Sequence, residues 1–143
     1  MKEPLVYLTR TYDFCATHRL YNPAFSDEKN CEVFRECNNV NGHGHNYTLE
    51  VTVCGTPDAE TGMIVDIWDL DGVVKAHVIK HVDHKNMNLD VVFLKDQIPT
   101  AEVMAKAFWR QLEKPVADLK AATLYRLRLL ETKNNFAEYR GEG

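Results

Sequence analysis

Gly42-His43-Gly44-His45-Asn46 sets two imidazoles two residues apart where a strand begins. Side chains at i and i+2 of a strand leave from one face, so both rings can reach one ion. The flanking glycines permit unusual backbone angles and close approach. A metal centre that keeps a position open for substrate needs a third protein ligand. His18 is best placed for it, in Phe14-Cys15-Ala16-Thr17-His18-Arg19 at the far end of a β-rich stretch. If the two strands pair, the end of the first meets the start of the second. Cys37, six residues before His43, is another potential ligand, since thiolates bind zinc well. His77 and His81 fall on the apolar stripe of a helix and read as core packing. A second cluster, His81-Val82-Asp83-His84-Lys85-Asn86, sets an acid beside an imidazole, the pairing that proton transfer uses. A polar turn at a helix end would account for the same residues.

The elements that must position these groups follow from periodicity. Leu5 to Phe14 is β-rich and suits a strand. Tyr21 to Asn41 is polar with no clear period and reads as a long loop, a feature usually tied to function. From Asn46 to Cys54 the alternation is clean, with Tyr47, Leu49, Val51 and Val53 on one face. Leu70, Val73, Val74, His77, Val78 and His81 follow helical spacing, with Asp69 and Asp71 near the start, where carboxylates suit the helix dipole. A second helix should start at Pro99-Thr100, with Thr100 as N-cap, and run towards Leu112, with Pro115 ending it. Strands fit Thr123 to Thr132 and Asn135 to Tyr139. Tyr125, Leu127, Leu129 and Glu131 share one side of the former, so a carboxylate continues an apolar row. The order ββααββ predicts an α+β fold, with antiparallel hairpins carrying two helices on one face.

Composition sets the frame. The chain has 143 residues, 45% of them hydrophobic and 27% charged, which suits one globular domain, 1–143, with a real core. The net charge is −4, with no Lys/Arg run, which argues against general nucleic-acid binding while allowing a local basic pocket for an anionic substrate. No apolar stretch approaches a membrane span, and MKEPLVYLTR lacks the apolar segment of a secretory signal. Cys15, Cys31, Cys37 and Cys54 form no CxxC pair and read as reduced thiols of a cytoplasmic protein.

Several separated motifs together resemble the 6-pyruvoyl-tetrahydropterin synthase family. They are Phe14-x-Ala16-x-His18-Arg19-Leu20, Cys37-Asn38-Asn39-x-Asn41-Gly42-His43-Gly44-His45-Asn46-Tyr47, Thr61-Gly62-Met63, Asp83-His84-Lys85-Asn86, Pro99-Thr100-x-Glu102 and Glu131-Thr132-x-Asn134-Asn135. The resemblance implies a T-fold subunit, a four-stranded antiparallel sheet carrying two helices, assembled as trimers that stack into hexamers with active sites at subunit interfaces. It implies zinc held by His18, His43 and His45, with Cys37 as catalytic thiol and not a fourth ligand. Asp83 and His84 would form the proton-transfer pair, supplied by a neighbouring subunit, and Glu131 would anchor the pterin. Thr100 would contact the same ring. The chain departs from the family at Cys15, where serine is common, at Ala101, where a hydroxyl residue is usual, and at Asn88, where an acid is frequent.

The implied substrate is 7,8-dihydroneopterin triphosphate, whose conversion moves protons off carbon and eliminates triphosphate without an external redox cofactor. Zinc with an open position acidifies C–H bonds next to a bound oxygen. A thiolate base then suits Cys37, and His84 oriented by Asp83 suits proton return. The pterin edge offers N3–H and a 2-amino group side by side, which one carboxylate accepts together. Arg19 and Lys85 are candidates for the triphosphate. Three other readings compete. The sister 6-carboxy-tetrahydropterin synthase takes the same substrate but releases acetaldehyde; its cysteine usually stands closer to the HGH motif than the five intervening residues here. A non-catalytic pterin-binding protein would not need Cys37, Asp83 and His84 together. A zinc hydrolase would need a general-base Glu beside the HxH pair, and none is present.

Overall fold

In a computed structural model, which describes residues 3–143, the chain runs β1 (Val6–His18), α1 (Asp27–Phe34), a 3₁₀ turn (Arg35–Asn38) and β2 (His43–Gly55). It continues through α2 (Ile67–Val74), a π turn (Lys75–Ile79), α3 (Lys80–Val82) and β3 (Lys85–Asn86). A 3₁₀ turn (Val92–Leu94), α4 (Ala101–Asp118), β4 (Thr123–Thr132) and β5 (Asn135–Tyr139) complete it. The sheet order is β3-β1-β2-β4-β5. Four strands are antiparallel as expected; the fifth, β3, is a two-residue strand parallel to β1, pairing Ala16 with Lys85 and Thr17 with Asn86. The four-stranded expectation is corrected by this addition. Two residues are too short to show an alternation in sequence.

Alternation assigns the two faces of the sheet. Tyr12, Phe14, Ala16 and His18 of β1 are buried with Tyr47, Leu49, Val51 and Val53 of β2, beneath Leu70, Val74, Val78 and Val82 and beneath Met104, Phe108, Leu112 and Val116. Both helical segments therefore cover one face. The row on β4 is shorter than the period predicts, because a bulge opposite Thr52/Val53 resets it. Leu124 takes the inward place, and Tyr125 packs against Tyr7 with ring centroids 4.6 Å apart.

Three other expectations change. The long loop contains α1, capped by Ser26, whose hydroxyl accepts from Lys29 N–H at 3.1 Å. His77 and His81 are exposed, not core: Val74, Val78 and Val82 carry the inward stripe, and the π turn widens the spacing between helix turns. Pro115 does not end α4, which reaches Asp118. In the last turn a proline forfeits only one bond to a carbonyl four residues back. Thr100 caps this helix as anticipated, accepting from Val103 N–H at 3.2 Å. No helix among the described residues is long and apolar enough to cross a membrane.

A polar clasp fixes α2 on the edge of β1. Asp71 accepts from Arg10 Nε at 3.1 Å and Nη2 at 2.7 Å, and from the Tyr12 hydroxyl at 2.7 Å. The Arg10 donors hold the Asp71 carboxyl below its usual range, while burial and then Asp71 push the Tyr12 phenol up. A carboxyl depressed in the folded state contributes fully above its unfolded pKa of about 4 and loses that contribution as pH falls through the lower folded value. Thermal melts of wild type and Asp71→Asn should differ most at neutral pH and converge in acid. A gap that stays constant down to pH 3 would show that the clasp is not the source.

Candidate metal centre and catalytic site

The β1–β2 register brings three imidazoles together. His18 pairs with His43 and Ala16 with His45, so the three histidines share the helix-covered face at one end of the sheet. Their ring centroids lie 4.6, 4.8 and 5.2 Å apart, tilted steeply to one another. His18 is fully buried, and its Nδ1 donates to the Pro99 carbonyl at 2.8 Å. A carbonyl can only accept, so the neutral ring turns its Nε2 lone pair inward. That Nε2 lies 3.1 Å from His43 Nε2. Burial holds His18 and His45 below the usual imidazole range, which keeps them in the form that binds metal.

The fit to a metal rests on His45. Its Nε2 is buried and makes no hydrogen bond among the described residues, although Glu131 Oε1 lies 3.1 Å away. A buried nitrogen without a partner is costly unless something occupies its lone pair. Donor atoms from His18, His43, His45 and Glu131 all fall within 4.8 Å of one another. Ligands on tetrahedral zinc at about 2.0–2.1 Å stand about 3.3 Å apart, so the imidazole pair needs little adjustment. Glu131 is thus closer to the imidazoles than its place at the end of an apolar row suggested. Gly42 shapes the approach: its φ is +74°, and a Cβ there would meet the His18 carbonyl oxygen at 3.0 Å.

Cys37 sits in the 3₁₀ turn, half-buried, and its thiol is not among the donors of the histidine group. The turn is pinned beside His18. Leu20 N–H donates to the Cys37 carbonyl at 2.8 Å, and Arg19 donates to the Asn38 carbonyl at 2.9 Å and to its side-chain oxygen at 3.0 Å. Arg19 also stacks on Tyr21, 4.2 Å from the ring centroid, so its guanidinium serves this turn. Lys85 is exposed.

Asp83 and His84 lie elsewhere. Asp83 Oδ1 accepts from Cys15 N–H at 3.1 Å and lies 3.0 Å from His84 Nδ1; the Cys15 amide is the main reason its carboxyl stays below the usual range. His84 has φ +62°, a left-handed conformation that costs a non-glycine residue about 1 kcal/mol. Its N–H bonds the Cys15 carbonyl at 2.6 Å, which holds it there. Cys15 and Thr17 alternate away from the helix-covered face, so this pair borders the reverse face of the sheet from the three histidines. A cleft of about 520 Å³ opens at this edge of the sheet, lined by Cys15, Thr17, His45, Asn46, His84 and Lys85 among others, so it reaches one member of the histidine group.

Residues 7–142 match the family profile described as 6-pyruvoyl tetrahydropterin synthase. A 6-pyruvoyl tetrahydrobiopterin synthase of Drosophila melanogaster is 41% identical over 98% of this chain and 82% of its own length. One of Homo sapiens is 41% identical over 94% and 91%. The solved Caenorhabditis elegans 6-pyruvoyl tetrahydropterin synthase superposes with a TM-score of 0.91 at 35% identity, covering 99% of both chains. The chain belongs to the 6-pyruvoyl tetrahydropterin synthase family.

Membership makes it a carbon–oxygen lyase of the 6-pyruvoyl tetrahydropterin synthase type. It also puts residues that pattern alone passes over in context. The Pro99 carbonyl orients His18, yet a backbone acceptor leaves no mark in sequence. Asn88 accepts from Arg19 N–H at 2.7 Å and donates to the Arg19 carbonyl at 2.8 Å. An ionised acid could not make the second bond. Asn88 therefore locks the backbone immediately after His18.

Proposed function

We propose that the chain converts 7,8-dihydroneopterin triphosphate to 6-pyruvoyl-tetrahydropterin with loss of triphosphate, using zinc held by His18, His43 and His45. The observation that carries this reading is the convergence of three imidazoles and a carboxylate, with donor atoms from His18, His43, His45 and Glu131 all within 4.8 Å of one another. Zinc there would supply a Lewis acid for the side-chain oxygens, which acidifies the neighbouring C–H bonds.

The chain's own groups do the rest. Cys37, as its thiolate, takes the proton from carbon, on a turn that Arg19 holds in place. His84 returns a proton from Nε2, with Nδ1 turned towards Asp83 to set the tautomer. Glu131 accepts N3–H and the 2-amino group of the pterin. Thr100 already accepts a bond from the α4 backbone, which leaves its O–H free to donate to the ring. Lys85, exposed beside His84, offers a cation for the triphosphate.

Because the Asp83–His84 pair borders the reverse face, a complete site draws it from a second copy of the chain. We therefore read the working form as a homo-oligomer, a trimer or hexamer, in the cytoplasm. The test is anaerobic incubation of metal-loaded protein with the substrate, with products identified by mass. Triphosphate and a 6-pyruvoyl pterin without acetaldehyde are expected. Acetaldehyde with a 6-carboxy pterin would overturn the assigned product, and no turnover with metal retained would overturn the enzymatic assignment.

A further inference from the structure

We propose that Cys15, Asp83 and His84 form a second metal site, one that takes zinc or a similar thiophilic divalent cation and inhibits the enzyme when filled. One donor atom from each residue lies within 4.8 Å of the other two. The set is a thiol, a carboxylate and an imidazole, and the sulfur selects zinc, cobalt(II) or cadmium over magnesium and calcium. Binding forms the metal–sulfur bond and releases the thiol proton to solvent.

The frame is built. Asp83 is held by the Cys15 amide at 3.1 Å, and the His84 backbone is tied to the Cys15 carbonyl at 2.6 Å. Zinc–ligand distances of about 2.0–2.3 Å put the donors roughly 3–4 Å apart; Asp83 and His84 already stand 3.0 Å apart, and the thiol, within 4.8 Å of both, has only to draw closer to the pair. The His84 side chain, 78% exposed, can turn to provide this. The adjoining cleft leaves room for a water as fourth ligand, and Asp90 on its wall offsets the charge of Lys85. A cation here occupies the carboxylate and imidazole lone pairs that handle the proton. The inhibition, though not the binding, rests on the roles proposed above for Asp83 and His84.

Cobalt(II) added to protein already carrying one metal per chain gives the decisive readout. Wild type should take up a second equivalent and show a sulfur-to-cobalt charge-transfer band. Cys15→Ser should lose the band and weaken the second site at least about tenfold. His84→Ala should weaken it likewise, whereas Cys37→Ala should keep both signals. No second equivalent in wild type, a band that survives in Cys15→Ser, or one lost in Cys37→Ala would overturn the site. In turnover assays, zinc beyond one equivalent should inhibit wild type and leave Cys15→Ser at the rate it shows with one equivalent. Equal sensitivity of the two would overturn the inhibitory role. Absence of turnover with the second metal still bound would count against the proposed reaction and leave the site intact.

Discussion

His45→Ala protein is expected to purify with little metal and almost no activity, while Cys37→Ala purifies with its metal and is also inactive. The two losses have different physical origins. His45 supplies one of three imidazole nitrogens on one face of the sheet, and its buried Nε2 makes no hydrogen bond among the described residues. Removing a ligand should weaken metal binding more than about 100-fold, beyond what losing a group hydrogen-bonded to a ligand produces. Cys37 lies outside that donor group. Its loss should leave metal content near wild type and cut turnover by roughly 10²–10⁴, the usual contribution of a positioned acid or base. Metal analysis and steady-state rates on the same preparations decide the matter. Loss of metal from Cys37→Ala would make the thiol a ligand, and full metal in His45→Ala would remove His45 from the centre.

Mixing two dead variants should restore activity. Cys37→Ala and His84→Ala lack different halves of the proposed machinery, and the Asp–His half borders the face of the sheet opposite the three histidines. If each site takes its thiol from one copy and its Asp–His pair from another, random co-assembly rebuilds about a quarter of the sites with both groups intact. Co-expressed, differently tagged chains purified through both tags would provide the sample. Recovery near that fraction is the expected result. A mixture as inactive as its components would place both halves of the site within one chain.

Much of this architecture is legible in residue order, and the reasons differ by element. The bounds of β4 and β5 match expectation because Thr132 and Asn135 bracket a short turn between strongly patterned runs. The histidine trio is legible because HxH and strand pairing are both periodic facts, and register then brings His18 to His43. β1 runs on to His18, beyond the expected end at Phe14, because Cys15 to His18 pairs with Asn46 to His43 across a strand that starts earlier than its apolar alternation. α1 escapes notice because only Asn30 of its eight residues is buried, so it has no apolar stripe to read. β3 and the Pro99 acceptor are products of tertiary contact, made by backbone atoms whose side-chain identity is nearly irrelevant. The partition of Asp83–His84 from the histidines needs the parity of Cys15 and Ala16 within the finished sheet.

The π turn at Lys75–Ile79 bears on how the proposed proton-transfer pair, Asp83 and His84, is aimed. Lys80 N–H bonds the Lys75 carbonyl, five residues back, so this rod carries one residue more than a regular α-helix would use over the same path. Each residue of an α-helix turns the chain by about 100°, so that extra residue acts as an angular offset for everything downstream. Val82 stays fully buried, Asp83 leaves the rod at the sheet edge, and His84 arrives against Cys15. Shortening the rod by one residue would keep its length within about 1.5 Å but swing the exit point by more than a quarter turn. The phase of Asp83 and His84 is thus stored a full helical turn upstream, in the π turn.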